Sequence, residues 1–224
     1  MERGKSASDK ILSYNDVVLR RSDLGILSGP YFLNDRIIEF YFSHLATLHP
    51  RDDILLVPPS IAFWIKECPD IASLKDFVDP LHLPKKDLII FPINDNDDVE
   101  RAEGGTHWSL LVFERNANLF VHHDSSDGFN SAHARRVYRA VVSYTGCEAG
   151  YKEWYETPRQ TNGYDCGLYV LAIARVICEW YASVGNEDKE GLWFAGVKEK
   201  VKPSRVAEMR SEILELVQRL MLEQ

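Results

Sequence analysis

The first run of apolar positions at helical spacing begins after Asn34-Asp35 and comprises Ile37, Ile38, Tyr41, Phe42, Leu45 and Leu48. Asparagine and aspartate accept hydrogen bonds from the free N–H groups of a first turn, so Asn34-Asp35 reads as the cap, and Pro50 closes the element. A second helix is predicted from Ser60, after Pro58-Pro59, with Ile61, Phe63, Trp64 and Ile65. The period then changes. DLIIFPIND (87–95), HWSLLVF (107–113) and LFVHHD (119–124) are short runs rich in branched and aromatic residues, which predicts three strands. NDDVERAEGG is a polar loop between the first two, and ERNAN turns the last two into a hairpin. SAHARRVYRAVVSY (131–144) is an amphipathic helix and YKEWYET (151–157) a further strand candidate. Helical pattern returns from Cys166 to about Ser183. It returns again from Ser204, where Val206, Met209, Ile213, Leu216, Val217 and Leu220 share one side.

Helices at both ends with strands between predict an α+β fold. No repeat, low-complexity segment or Pro/Gly/Ser-rich linker divides the chain, so residues 1–224 read as one domain, with a polar, frayed stretch over residues 1–10. A hydrophobic fraction of 45% over 224 residues suffices for a sizeable core. The net charge of −8 argues against a nucleic-acid binder and suits a partner with basic patches. The start MERGKSASDKILSYND has no apolar signal region, and charges interrupt the longer apolar runs, so neither secretion nor a membrane span is expected. Cys68, Cys147, Cys166 and Cys178 form no CxxC pair, which fits free thiols in a reducing compartment, cytoplasmic or nuclear.

Cys166 stands where the polar segment QTNGYDCG meets the apolar helix. A thiol at a helix first turn meets free backbone N–H groups and the positive end of the helix dipole, an environment for a nucleophile. Gly167 removes side-chain bulk beside the sulfur, which would let a substrate backbone approach. Gln160 could direct an amide N–H at a carbonyl under attack, as half of an oxyanion hole. The alternative is an ordinary buried cysteine beside a turn. A base is therefore needed. Of the seven histidines, His44, His49 and His133 fall on predicted helices and His82 in a Pro-flanked loop. His107 instead opens a strand after Gly104-Gly105-Thr106. If the ERNAN turn pairs Phe113 with Asn118, His107 faces Asp124, an acid placed to orient an imidazole. A metal site built on His122, His123 and Asp124 is the other reading of that cluster. Cysteine, histidine, aspartate and glutamine together match a nucleophile–base–orienter scheme.

GTHWSLLVF, FVHHDS and QTNGYDCGLYV, with FLNDRIIEFYF from Phe32, resemble in order four blocks of the sentrin-specific (Ulp-type) cysteine proteases. Those enzymes cleave after the C-terminal Gly-Gly of ubiquitin-like modifiers. Within the family, the run INDNDDVERAEGGTHWSLLVF, the approach PLHLPKKDLIIFPIND and the absence of a long N-terminal extension resemble the deneddylase branch, which acts on the Nedd-type (Rub) modifier. The resemblance implies a papain-like-clan fold, with a central mixed or antiparallel sheet flanked by helices and the nucleophile at a helix N-terminus. It implies Cys166 as nucleophile, His107 as general base and acid, Asp124 as orienter and Gln160 as oxyanion donor. Trp108 would wall the Gly-Gly tail, opposite Phe32, which stands where the family's Trp-Leu-Asn-Asp block has tryptophan. Asn34 and Asp35 belong to the same block, Asp35 as a contact for a basic residue of the modifier. It implies no metal or cofactor, a monomer without nucleic-acid or membrane partners, and modifier conjugates such as cullins as substrates. Other modifiers (SUMO, ubiquitin), an acetyltransferase on this fold, and a non-catalytic binding module are the alternatives.

Overall fold

A computed structural model describes residues 6–101, 104–183 and 191–224. The chain opens with β1 (Lys10–Tyr14) and β2 (Val17–Arg20), an antiparallel hairpin, followed by α1 (Arg21–Leu27), α2 (Asp35–Leu48), β3 (Ile54–Leu56), α3 (Pro59–Glu67) and α4 (Ile71–Val78). Two 3₁₀ turns lead into β4 (Leu88–Asn94), then β5 (Trp108–Glu114), β6 (Leu119–His123), α5 (Ser131–Val141) and β7 (Gly150–Glu153). The long α6 (Cys166–Ser183), the short α7 (Phe194–Lys200) and α8 (Pro203–Leu222) complete the order. The expected elements are present, although the strand expected over 151–157 ends at Glu153, and α2 has Asn34 as its cap: Asn34 Oδ1 accepts from Ile37 N at 3.1 Å. Residues 1–5 and part of 183–200 lie outside the described residues. The rest of the first ten residues are tied down, since Arg21 N and Ser22 N donate to the carbonyls of Asp9 and Ala7.

The sheet runs β3-β4-β5-β6-β7, with parallel pairs at its two edges and antiparallel pairs in the centre. It is mixed and sits between two helical layers. Alternation along the strands sends Leu88, Ile90, Leu110, Val112 and Val121 into one core with α2, α6 and α8. Ile89, Phe91, Leu111, Phe113 and Phe120 enter a second core with α3, α4 and α5. Both faces are buried, so the central strands read as continuous apolar runs rather than as alternation. By composition and length α6 would be apolar enough to cross a membrane, but here it is mostly buried, against β5, α2, α7 and α8.

The hairpin register differs from the expectation. Glu114 pairs with Leu119 and Phe113 with Phe120, two residues beyond the predicted Asn118. Asn118 is not in the ladder: it occupies the left-handed region (φ 48°) and closes a four-residue turn by donating from its N to Arg115 O at 3.0 Å. An even slip preserves which side chains share a face, whereas a slip of one would have turned Asp124 away from His107.

Candidate active site

His107 immediately precedes β5 and Asp124 immediately follows β6, so neighbouring strands deliver both to one end of the sheet. They are diagonal rather than opposed. Their side chains nevertheless meet, with His107 Nε2 2.6 Å from Asp124 Oδ1. Asp124 is filled further by backbone donors, Ser126 N on Oδ1 and Asn130 N on Oδ2, both at 2.8 Å. Burial alone would raise the Asp124 carboxyl, but the bonds from His107 and these amides outweigh it and hold the group below its ordinary range. Burial likewise opposes charge on His107, yet hydrogen bonds to Asp124 and Cys166 raise the imidazole to about 9. With Nε2 committed to the aspartate, Nδ1 is the nitrogen left to act on the thiol.

Cys166 is the first residue of α6 and fully buried. Just before it, Asp165 is held by Asn162 Nδ2 at 2.7 Å and by Arg210 of α8 at 2.8 Å. Arg210 also donates to the carbonyls of Ile26 and Tyr31, which fastens α8 and the α1–α2 connection around the start of α6. Gln160 lies in the same region. Its Oε1 accepts from Ser125 Oγ at 2.8 Å, next to Asp124, and its Nε2 donates to Asn162 O at 2.7 Å. This fixes the amide and leaves its second N–H to serve as a donor.

Phe32, Leu33, Asn34, Asp35, Gly105, His107 and Trp108 line one cleft of about 390 Å³. Trp108 is buried and donates from Nε1 to Leu33 O at 2.9 Å, which locks the two walls together. Phe32 stands at the rim, 47% exposed. Asn34 spends its amide internally, capping α2 and donating from Nδ2 to the buried Asp23 at 2.7 Å. It shapes the wall, and its amide is already engaged.

One reading is corrected. Gly167 is buried, and a Cβ there would come 2.9 Å from Leu33 Cβ, so its missing side chain admits Leu33 rather than a substrate. The His122-His123-Asp124 cluster is not convergent, because successive strand residues point to opposite faces. His122 is held by Glu153 at 2.6 Å and Ser109 at 2.9 Å. His123 accepts from Trp193 Nε1 at 2.8 Å, and its complete burial lowers it to about 3, which makes it neutral. Among the described residues no group of three or more His, Cys, Asp or Glu is placed to hold a metal ion.

The structure adds residues that the motifs did not suggest. Asp95, just past β4, accepts from Thr106 N at 2.6 Å, Thr106 Oγ1 at 2.7 Å and His107 N at 2.9 Å. Gly105 is required beside it: its φ is +82°, and a Cβ would lie 2.7 Å from Asp95 Oδ1. Lys66 of α3, nearly buried, donates to the carbonyls of Asn94 and Asn96 at 2.6 Å each and so grips the residues on either side of Asp95. Asn130 Nδ2 donates to His107 O at 3.2 Å. The signal in the sequence was the polar triplet Asn94-Asp95-Asn96 directly after an apolar strand. A buried thiol at a helix start, an acid-held imidazole and an amide oriented by Ser125 and Asn162 can together perform acyl transfer through a covalent intermediate.

Comparison with known proteins agrees with that chemistry. Residues 63–186 match the Ulp1 protease family, C-terminal catalytic domain. The chain is 58% identical over 219 residues to NEDD8-specific protease 1 of Arabidopsis thaliana, covering 97% of this chain and 96% of that protein. It is 38% identical over 174 residues to human sentrin-specific protease 8, covering 75% and 81%. The Ulp1 protease domain solved in complex with Smt3, the yeast ortholog of SUMO, shares the fold, with a TM-score of 0.67 at 18% identity over 98% of this chain and 91% of that one.

Proposed function

The chain belongs to the Ulp1 protease family of cysteine peptidases, and from that premise we propose that it is a deneddylase. It cleaves after the C-terminal Gly-Gly of a Nedd-type (Rub) modifier, in the precursor and in conjugates on lysine. The observation that carries this reading is the 58% identity, over nearly the full length of both chains, with a protease specific for NEDD8.

In this reading the modifier's tail lies in the cleft between Phe32 and Trp108. Two glycines present no side chains, so a narrow aromatic passage selects them by excluding anything larger. His107 Nδ1 takes the Cys166 proton, and the sulfur attacks the terminal glycine carbonyl carbon. The oxygen gains the negative charge and is met by the free N–H of Gln160 and by backbone N–H groups at the start of α6. As the C–N bond breaks, His107 returns the proton to the leaving amine, and a thioester joins modifier and Cys166. Water, giving a proton to His107, attacks the thioester carbon, and the modifier leaves with a free carboxylate while the thiol is re-formed. Asp124 holds the imidazole in the tautomer this cycle needs and stabilises its charged form. Asp35, at the cleft, contacts a basic residue of the modifier. The enzyme acts as a monomer, in the cytoplasm or nucleus, on modifier conjugates such as those of cullins.

The test is capture by Nedd-type modifier, SUMO and ubiquitin, each carrying a thiol-reactive C-terminus, with wild type and Cys166→Ala. Capture of the Nedd-type probe, lost in Cys166→Ala while that variant still binds the unmodified modifier, is the expected result. Preference for SUMO or ubiquitin would keep the chemistry and overturn the modifier. Capture by Cys166→Ala would overturn the nucleophile.

A further inference from the structure

The loop between β6 and α5 carries an exposed aromatic ring directly beside the site. Phe129 meets His107 edge-to-face, with ring centroids 5.4 Å apart and planes at 76°, yet 61% of the residue remains exposed. The ring is on a fixed support. Phe129 N donates to Ser126 O, Asn130 N donates to Asp124, and Asp127 pairs with Arg159 at 2.7 Å. Asp127 and Gly128 both hold positive φ, the sharp turn that lifts the ring outward. Tyr155, also exposed, flanks the same turn beside Gly128.

Residues 104–108 and Phe32 to Arg36 place the tail cleft on one side of His107. Phe129 touches the imidazole without being among the residues that line that cleft. We propose that Phe129 is a leaving-group contact, a platform for the aliphatic stem of the lysine from which the modifier is released. The inference rests on the deconjugating activity proposed above. Its physical basis is reach. To receive the proton, the leaving nitrogen must come within about 3 Å of the imidazole. That nitrogen is followed by four methylenes, which then pass over whatever flanks His107 on the leaving side. A flat apolar ring held still by its turn covers them at little entropic cost.

Phe129→Ala and Phe129→Leu are assayed on two reagents: Nedd-type modifier joined through an isopeptide bond to a lysine peptide, and the same modifier with a thiol-reactive C-terminus and no leaving lysine. Covering one to two methylenes predicts that Phe129→Ala lowers kcat/KM on the isopeptide on the order of tenfold more than it lowers capture of the probe. Phe129→Leu, which keeps an apolar cover, regains most of that difference. Equal losses on the two reagents would mean that the ring acts through His107 alone and overturn the proposal, as would no loss on the isopeptide. Failure of the wild type to capture the Nedd-type probe would overturn the deneddylase reading and this inference with it.

Discussion

Replacement of Asp124 by asparagine tests the geometry of the site most sharply. Asp124 accepts on both oxygens: His107 Nε2 and Ser126 N on Oδ1, Asn130 N on Oδ2. An amide cannot reproduce this. With its NH₂ in the place of Oδ2 it confronts Asn130 N–H. Turned over, it confronts Ser126 N–H and drives the imidazole to accept at Nε2, which puts the ring proton on Nδ1. A neutral ring protonated there has no lone pair to receive the thiol proton, whereas with Asp124 the neutral ring keeps its proton on Nε2 and Nδ1 open. The expected loss of turnover is on the order of 10³- to 10⁴-fold, the size of a tautomer error in a triad. Stability carries a second signature. His107 is raised from 6.5 to about 9, against its burial, by Asp124 and Cys166, which corresponds to about 3 kcal/mol of preference for the charged form in the folded state. For a raised histidine this contribution is complete below pH 6.5 and is lost as pH rises through about 9. Asp124→Asn forfeits the aspartate's share and leaves a buried donor opposed, a pH-independent cost of about 1–3 kcal/mol. Urea unfolding at pH 6 and pH 9.5, with probe capture measured on the folded protein, checks both. Wild type should exceed the variant by more at pH 6 than at pH 9.5. An equal gap at both pH values, or capture reduced less than tenfold, would refute the reasoning.

Gly167→Ala should cost about 1–3 kcal/mol in urea unfolding, because the new methyl must displace Leu33 from 2.9 Å. A variant with unchanged stability and weakened modifier binding would instead return Gly167 to the substrate. Lys66→Met should cost about 2–4 kcal/mol, since the carbonyls of Asn94 and Asn96 lose a shared charged donor. It should also slow probe capture under conditions where the protein is fully folded, as Asp95 loosens its hold on Thr106 and His107. Unchanged capture would make the clamp purely structural.

Cys166, His107, Asp124 and Gln160 were legible in the chain because each stands at a boundary between elements, where a polar residue breaks an apolar pattern. The helices α2, α3, α5 and α8 were legible for the complementary reason, an apolar face at helical spacing, and α6 and the strands β4 to β6 as apolar runs bounded by polar turns. The hairpin β1–β2 is not among the elements the pattern predicts, although Asn15-Asp16, both left-handed, make its turn. Strand β3, with three residues, and the short α4 and α7 are too brief or too weakly patterned to stand out, and packing rather than propensity places them.

Local pattern therefore determined the element types, the mixed composition of the fold and the residues capable of chemistry. Tertiary structure decided how they meet. The hairpin register is set by where Asn118 can turn left-handed, and composition does not state that. Gly167's neighbour is Leu33, more than a hundred residues away. Lys66 and Asp95 reach His107 across separate elements, and Phe129 lies over its ring because of a turn. Those contacts depend on distance in space between segments far apart in the chain, and no local period encodes it.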